Sequence, residues 1–124
     1  MFAEHPVHDY SKAPLLFAAT SGKPFSVLMD EAMLFMHQNM YSAQKTGKPD
    51  HAFVAIMIPR HQGTIDMAKA LLRYGKNPEI TNLSQWIISA QLNEIKFMTV
   101  WLKTYKTASS KTQAFSLLKE WPRL

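Results

Sequence analysis

A chain of 124 residues is the size of one domain, and 47% hydrophobic with 19% charged residues is the make-up of a folded protein rather than a disordered one. The absence of cysteine excludes disulfide frameworks, zinc ribbons, thiol nucleophiles and iron–sulfur clusters, and the four glycines form no nucleotide-binding pattern. The net charge of +5 comes from the last 29 residues, where Lys96, Lys103, Lys106, Lys111, Lys119 and Arg123 meet only Glu120; this basic end reads as a solvated helix face and not as a nucleic-acid surface.

Residues 1–23 read as an N-terminal extension holding Pro6 and Pro14, with at most one helical turn in the apolar stretch Ala13 to Ala19. No apolar run approaches the roughly 18 residues of a membrane span, and no intact signal peptide is visible. Residues 24–124 are expected to form a single all-α domain. Ser21-Gly22-Lys23-Pro24 opens a helix near 24–46, and Gly47-Lys48-Pro49 closes it. Asp50 reads as the N-cap of a second helix, near 50–74, with Gly75 beyond its end. A third helix, near 79–106, follows Pro78, and Gln113 to Trp121 forms a short fourth helix stopped by Pro122. Strict alternation persists nowhere, so no strand competes. Short connections make the three long helices antiparallel neighbours.

Pro59 and Gly63 lie inside the second helix, where proline costs about 3 kcal/mol or more and glycine about 1 kcal/mol relative to alanine. Two such breakers one turn apart mark a site, with a bend at Pro59. The first helix carries Met29, Met33, Met36 and Met40 as one stripe with His37 at its margin, a pattern that core packing alone also produces. Met57 and His61 share a face of the second helix, with Met67 at its edge, and the third helix adds Met98. Gln91 and Glu94 interrupt the apolar stripe of that third helix; Glu94 is expected either to pair with Arg60, which has Asp66 as its other candidate partner, or to stand beside a metal.

Thioethers with imidazoles suit soft ions, above all Cu(I), whereas calcium and magnesium want oxygen ligands. A di-iron centre needs Glu-x-x-His pairs, and no glutamate here has a histidine three residues on. His5 and His8 read as solvated residues, with a separate, weaker, loop-borne metal site as the alternative. No nucleophile motif supports an enzyme.

The run Ile58-Pro59-Arg60-His61-Gln62-Gly63-Thr64-Ile65-Asp66-Met67-Ala68 resembles the signature of a bacterial family known as domain of unknown function 305. So do Ala32-Met33, Met36-His37 and Met40 before it, and Asp50 and Phe53. Tyr74-Gly75-Lys76-Asn77-Pro78-Glu79, Ala90-Gln91, Glu94-Ile95 and Met98 to Leu102 continue the likeness, which spans about residues 26–103. The resemblance implies a small ferritin-like four-helix bundle, exported to the periplasm or secreted, that binds copper through Met and His side chains. Carried over residue by residue, the implied ligands are Met33, Met36, His37, Met40, Met57, His61, Met67 and Met98. Two departures bear on this set. Arg60 stands where the family has the first of two adjacent histidines, and Ile56-Met57 stands where it often has a methionine pair. A guanidinium has no lone pair to offer a metal.

The expectation is therefore a non-enzymatic protein that holds Cu(I) for buffering, resistance or hand-over to a copper transporter or another periplasmic protein, with a homodimer as one admissible assembly. The alternative is a metal-free helical module whose Met-rich groove receives a partner protein.

Overall fold

The computed structural model describes residues 16–20 and 22–107, with side chains as far as Tyr105. Three helices occupy almost all of it: α1 (Phe25–Ser42), α2 (Pro49–Tyr74) and α3 (Pro78–Thr107). No strand occurs among the described residues. The fourth helix expected at 113–121 lies outside them, as do His5, His8 and residues 13–15; residues 16–20 carry no helix.

Local chemistry sets the helix ends. Pro49 and Pro78 each stand at the first helical position, where the missing N–H is no loss and the fixed φ is already helical. Asp50 is thus in the first turn of α2 and not its cap, since Lys48 holds that position without a side-chain hydrogen bond. The side chain that does cap is Asn77, whose Oδ1 accepts from the backbone N–H groups of Glu79 (2.9 Å) and Ile80 (3.2 Å). Helix α1 stops at Ser42, four residues short of the expected 46. The Lys45 ammonium reaches back to the carbonyls of Met40 (2.9 Å) and Tyr41 (2.8 Å), satisfying the last turn from outside it.

The helices run antiparallel, with α2 as the shared element. Near one end, the Tyr74 hydroxyl donates to the Lys23 carbonyl and Phe25 meets the Tyr74 ring edge-on at 6.2 Å, joining the start of α1 to the end of α2. Lys23 also pairs with Glu31 at 2.8 Å. On the other seam, His51 lies 5.1 Å from the Tyr105 ring and His61 meets Glu94, aligning α2 against α3 in opposite directions. Among the described residues, α1 packs on α2 and α2 on α3, while α1 and α3 do not pack on each other. The core consists of Leu28 and Ala32 from α1, Ala55, Ile65, Ala68 and Ala70 from α2, and Met98 with Trp101 from α3. Leu28 and Ile65 are wholly buried, each stabilising the fold by about 1.5–3 kcal/mol.

Both irregular residues of α2 sit within an unbroken helix. Gly63 is buried because α1 comes too close for any side chain: a Cβ there would lie 2.5 Å from the Met36 Cγ and 2.6 Å from its Cβ. Asp66, one turn on, is buried and accepts a 2.9 Å hydrogen bond from Gln62. Burial pushes its carboxyl above the usual range, while the Gln62 hydrogen bond and the Lys69 ammonium act against that shift. The unfolded chain ionises at the ordinary value and the folded one higher, so stability is lost as pH rises through that interval and stays lost at neutrality. Asp66→Asn keeps an acceptor for Gln62 and removes the charge. Its urea midpoint is expected to exceed wild type at neutral pH, with the two converging in acid below the ordinary carboxylate range; a lower midpoint at neutral pH would refute this account.

Candidate functional site

A stripe of α2 at i, i+4, i+7 and i+11 presents Asp50, Val54, Met57 and His61, with Phe53 beside it. Opposite, α3 presents Glu94, Phe97, Met98 and Trp101 at i, i+3, i+4 and i+7. Together these nine residues line a cleft of about 490 Å³, within the size range of ligand sites. Its walls are mostly carbon and sulfur. The polar groups are Asp50 at an exposed position and the pair His61–Glu94.

In that pair the His61 Nε2 stands 2.6 Å from Glu94 Oε1, with side chains 19% and 35% exposed. This corrects the expected partnership of Arg60 with Glu94. Arg60 is exposed and its side chain makes no ion pair among the described residues, although its backbone carbonyl accepts from Thr64. One residue of helix turns a side chain by about 100°, which carries Arg60 out of the cleft when His61 is in it.

Met57, His61 and Met98 are thus brought together, Met98 being 8% exposed and the other two half-buried. The α1 residues are not brought to them. Met36 lies on Gly63, on a face of α2 about 200° of helix rotation from His61. Met40 is half-buried, Met33 is 38% exposed and His37 is exposed. The expected facing of the whole α1 stripe onto Met57, His61 and Met98 is not what the fold builds, because α1 takes the opposite seam of α2 from α3. Met67 is half-buried on α2 and does not line the cleft.

Sequence reasoning missed Asp50, Phe53, Val54, Phe97 and Trp101 as cleft residues. The signal was present, since Asp50 and Val54 extend the Met57–His61 stripe backwards at helical spacing. Behind the wall, Trp101 stacks on Tyr105 at 5.0 Å, and the buried indole N–H of Trp101 has no hydrogen-bond partner among the described residues. The Gln91 carbonyl oxygen is likewise buried without one among the described residues. His51, 3% exposed, meets the Thr46 hydroxyl at 3.3 Å.

The donor set decides which ions fit. Among the described residues no three His, Asp or Glu side chains gather to hold a metal; the soft donors that line the cleft are Met57 and Met98. Two thioethers and one imidazole in an apolar cleft match a soft, low-coordinate ion and serve calcium, magnesium or zinc poorly. No helix of the described residues is long and apolar enough to cross a membrane. No curated protein matches the chain. A family model, domain of unknown function 305, matches residues 20–117, and the chain belongs to that family.

Proposed function

We propose that this member of the family is a copper-binding protein that holds Cu(I) through Met57, His61 and Met98, without turnover, for buffering, resistance or hand-over to a partner in the periplasm or outside the cell. The observation that carries the reading is the shared cleft: Met57 and His61, one turn apart on α2, and Met98 on α3 line one apolar space. A chain without cysteine suits an oxidising compartment, and thioethers, having no proton to lose, keep their affinity in acid. Cu(I) is the cargo here, bound and released. The site needs no catalytic group, and Glu94 orients the one imidazole. A ferritin-like bundle completed by a helix at 113–121 belongs to the same proposal.

The second reading is a helical interaction module. It draws on the exposure of Phe53 at the cleft edge (61%) and of Trp86 on α3 (74%), both apolar surfaces on which a partner helix could rest. Titration of the purified chain with Cu(I) and with Zn(II) against competing chelators separates the two. One Cu(I) held tightly, with little zinc, is the expected result. No uptake of Cu(I) would remove the copper reading and leave the module.

A further inference from the structure

We propose that Glu94 does two things for the cleft: it fixes which nitrogen of His61 can bind an ion, and it supplies the one half-buried negative charge of the cleft, which matches a monovalent ion. The inference rests on the copper reading above.

The first half follows from the 2.6 Å contact between His61 Nε2 and Glu94 Oε1. An ionised carboxylate only accepts hydrogen bonds, so the hydrogen of that bond sits on Nε2. A neutral imidazole then has its lone pair on Nδ1, and Nδ1 is the donor nitrogen. Because His61 is on α2 and Glu94 on α3, the bond also fixes the ring across the seam whose cleft Met57 and Met98 line.

The second half is a charge count. Met57 and Met98 are neutral donors, and so is an imidazole with a free lone pair. Glu94 is the half-buried carboxylate of the cleft; the other, Asp50, is exposed, where water and salt screen it. One bound monovalent cation with Glu94 sums to zero. A divalent ion leaves a full positive charge beside Phe53, Val54, Phe97 and Trp101, and an uncompensated charge against apolar walls is costly. Charge therefore adds to softness in selecting Cu(I) or Ag(I) over Zn(II).

The test compares wild type with Glu94→Gln, Glu94→Ala and His61→Ala, using Ag(I) as a redox-inert monovalent probe, Zn(II) as the divalent one, and nitrogen NMR of the His61 ring in metal-free protein. Glutamine retains an acceptor for Nε2–H and loses the charge. In Glu94→Gln the ring is expected to keep its hydrogen on Nε2 while Ag(I) affinity falls by about tenfold and the preference for Ag(I) over Zn(II) narrows. In Glu94→Ala the ring loses that single tautomer and Ag(I) affinity falls by about 10–100-fold. Hydrogen on Nδ1 in wild type, or Ag(I) bound by Glu94→Gln as tightly as by wild type, would overturn the assignment. His61→Ala keeps the two failures apart. If it weakens Ag(I) binding while Glu94→Gln does not, the role of Glu94 falls alone; if it leaves binding unchanged, the cleft is not the copper site and both fall.

Discussion

Gly63→Ala is expected to destabilise the protein by about 1–3 kcal/mol, although alanine is the better helix former by about 1 kcal/mol. The reason is the closeness of α1. A Cβ at position 63 would meet the Sδ, Cγ and Cβ of Met36, the last two at 2.5 and 2.6 Å. A flexible thioether could swing away from the first contact. It cannot move its own Cβ, so the two backbones must separate, and Leu28, Ala32 and Ile65 lose packing with them. Truncating Met36 to alanine in the Gly63→Ala background removes the Sδ and Cγ clashes and leaves the Cβ clash. A double-mutant cycle in urea is therefore expected to show partial rescue. Full stability in the single Gly63→Ala variant would mean that α1 and α2 are farther apart than described here.

The second large effect concerns metal and not folding. Met57→Leu with Met98→Leu is expected to cut Cu(I) affinity by about 100-fold or more, which is about 2.7 kcal/mol of binding. Leucine is close to methionine in volume, so each change costs under about 1.5 kcal/mol of stability and the helical circular dichroism is retained. The matched control is the α1 stripe. Met33→Leu, Met36→Leu and Met40→Leu together are expected to leave cleft affinity unchanged, because these residues are not among those that line it. A chelator competition that ranks the variants the other way, with α1 mattering and the cleft not, would move the proposed copper site to the opposite seam of α2.

The helices were largely legible in the sequence because their punctuation is local chemistry. Pro49, Gly75 and Pro78 set their boundaries within a residue or so, whatever the tertiary packing does. The end of α1 was not legible in the same way, since it depends on where the Lys45 side chain reaches. The candidate donors Met57, His61 and Met98 were also readable, but the partners of the donors were not. A helical wheel orders the residues of one helix and says nothing of which neighbour each face meets. Met36 and His61 both look inward by that measure, and α2 turns one toward α1 and the other toward α3. Gly63 shows the same limit from the other side. As a helix breaker beside Pro59 it marked the right turn of α2, yet its cause is the close approach of α1 and not the cleft.

Among the described residues α2 is shared and its two seams do not meet, so the α1–α2 and α2–α3 seams are expected to open partly independently. The cleft belongs to the α2–α3 hairpin. The seam of Leu28, Ala32 and Gly63 belongs to α1. An ion held between Met57, His61 and Met98 would stabilise the hairpin directly, and α1 only as far as α2 transmits it. Opening of α1 would leave the cleft walls standing. On the copper reading proposed above, the far face of α2 would then be open to another molecule with the ion still held, so that engagement and release need not be the same event.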